Sequence, residues 1–192
     1  MCIKNKLSKQ IYRMIYLLFC ISGIILQYAN SAMNGGNSVR MLSAYYTMIT
    51  NVLCFVYFAY LVIAPEHENP LIKGGVIMSI VLTGLGYHLL LADAGAGTME
   101  ASATPFFAYS NLMVHTITPL GAIIDYFLFS EKGEYKWQYP LYWLIIPVLY
   151  GIFIFIRAAV SPYKFYGFNG LSRFPYPFLD ADEFGQCPVD PA

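Results

Sequence analysis

The sequence predicts an all-α membrane protein, a polytopic bundle of spanning helices. Of its 192 residues, 58% are apolar and 11% are charged, a composition that few soluble proteins have. Apolar runs of about 18 to 25 residues, long enough to cross a hydrocarbon core of about 30 Å, occur five times. These runs cover residues 11–29, 42–64, 71–92, 105–129 and 139–160. We therefore expect residues 1–160 to form one bundle with short polar connections.

The first run follows a basic start, "MCIKNKLSKQIYR", which is also typical of a signal peptide. Its apolar part is long and the cleavage site is weak, so a retained helix is expected. Lys and Arg in short loops predict the orientation, because they are enriched on the cytoplasmic side. With the N-terminus inside, seven lie in the cytoplasm (Lys4, Lys6, Lys9, Arg13, Lys73, Lys132, Lys136) and three outside (Arg40, Lys164, Arg173). We therefore predict a cytoplasmic N-terminus, with the second and fourth helices entering from the outer face.

Residues 161–192 differ in kind from the bundle. They contain five prolines and no apolar run long enough to span. The aromatic segments "YKFYGF" and "RFPYPFLD" suit the level of the lipid headgroups. An extramembrane or interfacial tail is expected here.

Polar side chains recur at helical spacing inside two of the runs. In the fourth, Asn111, His115 and Thr118 share one face, and Pro119 cannot donate to the carbonyl of His115, which loosens the helix. In the second, Thr47 shares a face with Asn51. Polar groups in a hydrocarbon core cost free energy, which makes function the first hypothesis and helix–helix adhesion the alternative.

The depth of these groups adds to their spacing. At 1.5 Å per residue, Thr47 lies roughly 8 Å and His115 roughly 15 Å from the outer surface. The third and fifth helices run outward and bring His88 and Arg157 to the same half of the membrane. Asp125 lies near the inner interface, where snorkelling or pairing with a loop lysine would accommodate it.

A threonine hydroxyl needs a base to become a nucleophile, and a neutral buried imidazole is a suitable base. Thr47 and His115 are therefore the candidate catalytic residues. Asn111 is placed to orient the ring or to polarise an acyl carbonyl. The pattern predicts slow acyl chemistry on a lipid-soluble substrate that enters sideways from the outer leaflet.

Three stretches resemble a known family. "YYTMITNVLCFVYF", "NLMVHTITPLGAIID" and "YPFLD" are similar to stretches of the androgen-induced and androgen-dependent integral membrane hydrolases, and more closely to their bacterial six-span relatives. The resemblance implies a threonine hydrolase of fatty-acid esters of hydroxy fatty acids, in a bacterial cytoplasmic (inner) membrane. It implies Thr47 as nucleophile and His115 as base, with Asn111 and Asp125 at matching positions. The family continues into a sixth helix, whereas "EFGQCPVDPA" is no spanning segment, so a shortened member or a truncated chain is expected.

Other functions stay open at this point. His88 and His115 are also a possible pair of axial haem ligands, and intramembrane His, Asp and Arg are typical of transporters and channels. A purely structural role is a further alternative. The hydrolase hypothesis expects no metal or cofactor, a lipid or fatty-acid ester as substrate, and membrane lipids as surroundings; Asn51, Asn111, Asp125, His88 and Arg157 are its expected binding or orienting residues. A net charge of zero gives no indication of nucleic-acid binding, and the oligomeric state is left open.

Overall fold

The computed structural model describes residues 5–33, 37–92, 105–167 and 170–180. They include five helices long and apolar enough to cross a membrane: Lys6–Met33, Tyr46–Ile63, Pro70–Leu91, Pro105–Phe129 and Tyr139–Val160, the first to fifth spans below. The predicted fold class, an all-α polytopic bundle, is confirmed. The protein is a multi-pass integral membrane protein.

The first two spans begin differently from the sequence prediction. The first starts at Lys6, because the Asn5 side chain accepts hydrogen bonds from the Leu7 and Ser8 N–H groups (2.9 and 3.2 Å) and caps the helix. The second is preceded by a separate short helix, Val39–Leu42, and starts only at Tyr46. Thr47 therefore lies in the first turn of its span instead of roughly 8 Å into it.

The third and fourth spans each contain a π-helical turn, a form that often occurs at functional sites. In the third, the α-helix Pro70–Gly86 passes into the π-helix Tyr87–Leu91. In the fourth, the π-helix Met113–Ile117 separates the α-helices Pro105–Leu112 and Thr118–Phe129. His88 and His115 lie in these two turns.

The first four spans form a ring. The first packs against the second and fourth, and the third packs against the same two. The centre is filled by buried apolar side chains that include Tyr16, Cys54, Phe58 and Ile80. The ring thus has two ends: the Thr47 end, where the second and fourth spans begin, and the Glu68 end, where the second span connects to the third.

The fifth span lies outside the ring and packs on the third. It consists of the helices Tyr139–Trp143 and Ile145–Val160. Only 11% of its apolar stretch is buried inside the protein, against 33–44% in the other four spans. Most of the surface of the fifth span is therefore exposed on the outside of the bundle. Trp143 attaches it, donating from Nε1 to the Leu71 carbonyl (2.9 Å) and lying so close to Gly74 that a Cβ there would overlap the indole.

The tail folds back onto the Thr47 end. An antiparallel hairpin, Phe165–Gly167 with Gly170–Ser172, is followed by a 3-10 turn, Pro177–Leu179. Phe165 is fully buried against Met41, Ala44 and Ile154. The tail therefore joins the end of the fifth span to the start of the second. Residues 181–192, which include all of "EFGQCPVDPA", lie outside the described part of the chain.

Candidate active site

Thr47 and His115 meet at the Thr47 end of the ring. The Thr47 Oγ1 lies 3.3 Å from His115 Nε2, within hydrogen-bond range. The other ring nitrogen, Nδ1, lies 3.2 Å from the Asn111 carbonyl oxygen. A carbonyl can only accept, so Nδ1 carries the proton and Nε2 is the acceptor for the Thr47 hydroxyl. The imidazole is thus held in the tautomer that a general base needs.

The course of the fourth span next to His115 follows from Pro119. Within the π turn, the Thr118 N–H bonds to the Met113 carbonyl, five residues back. In that register the Val114 carbonyl would take the N–H of residue 119, which proline lacks. The Val114 carbonyl instead accepts from Asn51 Nδ2 of the second span at 3.1 Å. The proline has therefore released a backbone acceptor that ties the two site-bearing spans together.

Asn51 connects this acceptor to the candidate nucleophile. Its Nδ2 also donates to the carbonyl of Thr47 at 2.8 Å, and its side chain is fully buried. One amide thus fixes the backbone of Thr47 relative to the segment that carries His115. The sequence placed Asn51 and Thr47 on one face, and the structure gives Asn51 a positioning contact there.

The close approach of the third span depends on Gly84. A Cβ added there would lie 3.0 Å from the His115 carbonyl oxygen and 3.1 Å from Pro119 Cβ. Glycine therefore lets the third span lie directly against the segment that holds the imidazole.

Asn111 acts on His115 in two ways. Its backbone carbonyl accepts from Nδ1, and its side-chain Nδ2 donates to the Tyr87 hydroxyl at 2.5 Å. The Tyr87 ring stacks on the imidazole, with 4.1 Å between centroids and 21° between planes. The sequence predicted an orienting role for Asn111. It did not predict the contact of Tyr87, and the only feature that could have indicated Tyr87 is its position next to His88 in the chain.

Tyr176 of the tail completes the contacts of Thr47. Its hydroxyl oxygen lies 3.3 Å from Thr47 Oγ1 and 3.3 Å from the Thr47 backbone nitrogen. The sequence indicated only that "YPFLD" resembles a family motif. The phenol comes from outside every predicted span, so helical spacing could not place it next to Thr47.

His88 and Arg157 lie near the site without touching Thr47 in the described contacts. His88 Nε2 is 3.0 Å from Thr116 Oγ1, and its ring meets Tyr87 edge-on. The Arg157 guanidinium lies 4.1 Å from the Phe165 ring centroid and donates to the Tyr163 and Arg173 carbonyls (3.2 and 3.3 Å). These three contacts place Arg157 as a clamp on the tail.

Asp125 belongs to a different region, an ionic cluster at the Glu68 end. Its carboxylate pairs with Arg13 Nε at 2.9 Å and with Lys73 Nζ at 2.5 Å. Glu68 pairs with Lys9 (2.6 Å), Arg13 (2.8 Å) and Lys73 (2.6 Å). Burial by itself would raise the pKa of Glu68, but Lys73, Lys9 and Arg13 outweigh it and lower that pKa to about 2.

The ionic cluster is separate from the Thr47–His115 pair. Asp125 follows His115 by ten residues, or about 15 Å along a helix. Its partners are Lys73, counted above with the loop charges and lying in the first turn of the third span, and Arg13, which lies inside the first span. Asp125 is thus a buried ion-pair partner.

The Thr47–His115 pair combines a hydroxyl, an acceptor nitrogen and partial exposure, since both side chains are only partly buried. This arrangement can deprotonate the hydroxyl during attack on an electrophilic carbon. Both nitrogens of His115 have partners in the protein, which favours a general-base role over axial ligation of a haem. Comparison with protein-family models, with curated proteins and with solved structures found no match.

Proposed function

We propose that the protein is an integral membrane hydrolase of lipid esters, with Thr47 as nucleophile and His115 as general base. The observation that carries this proposal is the 3.3 Å contact between Thr47 Oγ1 and His115 Nε2, with Nδ1 held by the Asn111 carbonyl. This is the nucleophile, base and orienting group of covalent acyl-transfer catalysis.

The reaction proceeds by acyl transfer to Thr47. The hydroxyl oxygen attacks the ester carbonyl carbon while Nε2 of His115 takes its proton. The tetrahedral intermediate expels the alcohol, which receives that proton from His115, and leaves an acyl-threonine ester. Water, deprotonated by His115, then releases the fatty acid and restores the hydroxyl. Position favours the first step, because Thr47 lies in the first turn of a helix, where the helix dipole stabilises developing negative charge.

The surroundings support a lipid as substrate. Both reactive side chains belong to apolar helices long enough to cross a membrane, Thr47 in the first turn of its span and His115 ten residues into its own. A lipid-soluble ester is therefore the substrate class we propose. The resemblance to threonine hydrolases of fatty-acid esters of hydroxy fatty acids, and through it a bacterial inner-membrane location with the N-terminus inside, belongs to the same proposal.

The test is covalent labelling with a fluorophosphonate acyl-enzyme probe, alongside hydrolysis of a p-nitrophenyl fatty ester. Wild type is expected to label, Thr47→Ala to lose labelling, and His115→Ala to lose at least about a hundredfold in rate, as for removal of a general base. Matched controls are Thr83→Ala, whose hydroxyl bonds to Thr50 (2.6 Å) and not to Thr47, and His67→Ala, an exposed histidine between the second and third spans. Both controls should label as wild type does. Equal labelling of Thr47→Ala and wild type would refute the proposed mechanism.

A further inference from the structure

The phenol of Tyr176 is positioned on the reacting group itself. The Thr47 N–H donates to the Tyr176 hydroxyl oxygen at 3.3 Å, and the same oxygen lies 3.3 Å from Thr47 Oγ1. Tyr176 is only 9% exposed. Its hydroxyl is therefore held beside the candidate nucleophile, where it can donate to a group bonded to Oγ1.

The tail holds this phenol rigidly. The Tyr176 ring meets Tyr45 edge-on (5.5 Å, 86°) and stacks on Phe178 (5.3 Å, 9°). Tyr45 is itself fixed by the Phe165 ring at 5.2 Å and by Asn37 Nδ2, which donates to its hydroxyl at 3.1 Å. A donor fixed in this way needs no reorganisation when charge develops beside it.

Further bonds within the tail fix the backbone around Tyr176. The Ser172 hydroxyl donates to the Asp180 carboxylate at 2.5 Å and accepts from the Phe174 N–H at 2.9 Å. These contacts close the segment on both sides of Tyr176. Burial raises the pKa of Tyr176, so the phenol keeps its proton at neutral pH and is available as a donor.

We propose that Tyr176 is a catalytic residue of this site, and that its O–H and the Thr47 backbone N–H together bind the oxyanion of the tetrahedral intermediate. This inference rests on the proposed ester hydrolysis. When Thr47 Oγ1 bonds to the carbonyl carbon, the electron pair of the C=O bond moves to its oxygen. That oxygen shares a carbon with Oγ1, so it lies beside both donors.

The two donors then exchange partners. In the resting site the Thr47 N–H points at the phenol oxygen. The oxyanion replaces that oxygen as acceptor, and the Tyr176 O–H rotates onto it as the second donor. When the alcohol leaves, the electron pair returns to re-form the C=O bond of the acyl-threonine, and both donors revert. The phenol keeps its proton throughout, so the step balances without a further reactant.

The experiment measures kcat and KM of Tyr176→Phe for a p-nitrophenyl fatty ester in micelles. Loss of one oxyanion donor should lower kcat by about 10²- to 10³-fold with KM changed less than about threefold. Inhibition by a trifluoromethyl ketone of the same chain length, which forms a hemiketal oxyanion on Thr47, should weaken by a similar factor. Tyr163→Phe is the matched control: an exposed tail tyrosine packed under Arg40, expected to behave as wild type.

The outcomes separate the two proposals. If Thr47→Ala retains wild-type turnover, the hydrolase mechanism itself fails. If Thr47→Ala is inactive but Tyr176→Phe keeps kcat within about threefold of wild type, or Tyr163→Phe loses as much, the role of Tyr176 is overturned. Should Tyr176→Phe not fold, p-aminophenylalanine at position 176 restores an N–H donor on the same ring. Recovery of the melting temperature without recovery of kcat would also overturn the proposal.

Discussion

The two polar regions of the bundle differ in charge and in bond length. In the ionic cluster, Arg13, Lys73 and Asp125 are joined by ion pairs of 2.5 to 2.9 Å with almost no exposure. At the other end, Thr47 and His115 are neutral partners 3.3 Å apart and partly exposed. Short charge-assisted bonds contribute to holding helices together, whereas long neutral ones can be exchanged for bonds to a ligand. The same apolar helices thus carry two polar regions that differ in charge, bond length and exposure.

The largest expected effect on stability is at Asp125. Asp125→Asn leaves the buried cations of Arg13 and Lys73 without one of their carboxylates, which should cost about 3 to 5 kcal/mol of unfolding free energy. The free energy of unfolding of this variant and of wild type is measured in mixed micelles. Thr47→Val at the opposite end is the control and should change that free energy by about 1 kcal/mol or less. Wild-type stability of Asp125→Asn would contradict the assigned role of the ionic cluster.

The second effect is the response of the ionic cluster to acid. The pKa of Glu68 is lowered from 4.5 to about 2, so its stabilisation is complete above about pH 4.5 and disappears as the pH falls towards 2. At most about 3 kcal/mol of unfolding free energy should be lost over this interval. This loss is measured as a fall in the melting temperature between pH 7 and pH 2.5. Glu68→Gln is less stable at pH 7 and should have a flatter pH profile; an unchanged profile would exclude Glu68 as the titrating group.

The third effect concerns the contact between the third and fourth spans. Gly84→Ala places a Cβ 3.0 Å from the His115 carbonyl, and backbone there cannot yield as a flexible side chain would. We expect about 1 to 3 kcal/mol of destabilisation and slower fluorophosphonate labelling, because the imidazole moves away from Thr47. Gly86→Ala, which meets nothing within 4 Å, is the control and should be neutral or slightly stabilising. Equal labelling rates for both variants would show that the imidazole does not depend on this contact.

The smallest effect is at Tyr87. Tyr87→Phe keeps the ring stacked on His115 but removes the acceptor of the Asn111 side chain. The stability change should be about 0.6 kcal/mol, with a labelling rate reduced less than about tenfold. Tyr60→Phe, on an exposed position of the second span, provides the comparison. A loss as large as that of His115→Ala would mean that Tyr87 takes part in the chemistry directly.

Sequence reasoning predicted the spans well because length and hydropathy are local properties. It also placed Thr47 and His115 in the same half of the membrane, since helical spacing and the direction of each span give both a similar level. The break before Tyr46 was missed, because residues 42–45 are apolar enough to belong to the predicted run. From Pro119 we expected a loosened helix next to His115, but the sequence did not predict that this segment forms a π turn.

The remaining contacts depend on long-range packing. Tyr176 meets Thr47 across 129 residues, and no periodic pattern connects a proline-rich tail to a helix start. Arg157 was expected beside the site, and it holds the tail through Phe165 and two carbonyls instead. Arg13 was counted with the loop charges, although the helix extends past it and buries it.

The distance in sequence between Thr47 and Tyr176 has a consequence for biosynthesis. Translation delivers the chain from its N-terminus, so Thr47 and His115 leave the ribosome well before the tail does. A nascent chain with all five helices already inserted still lacks the phenol beside its threonine. The arrangement around Thr47 is therefore assembled last, after insertion, when the segment following the fifth helix folds back onto the bundle.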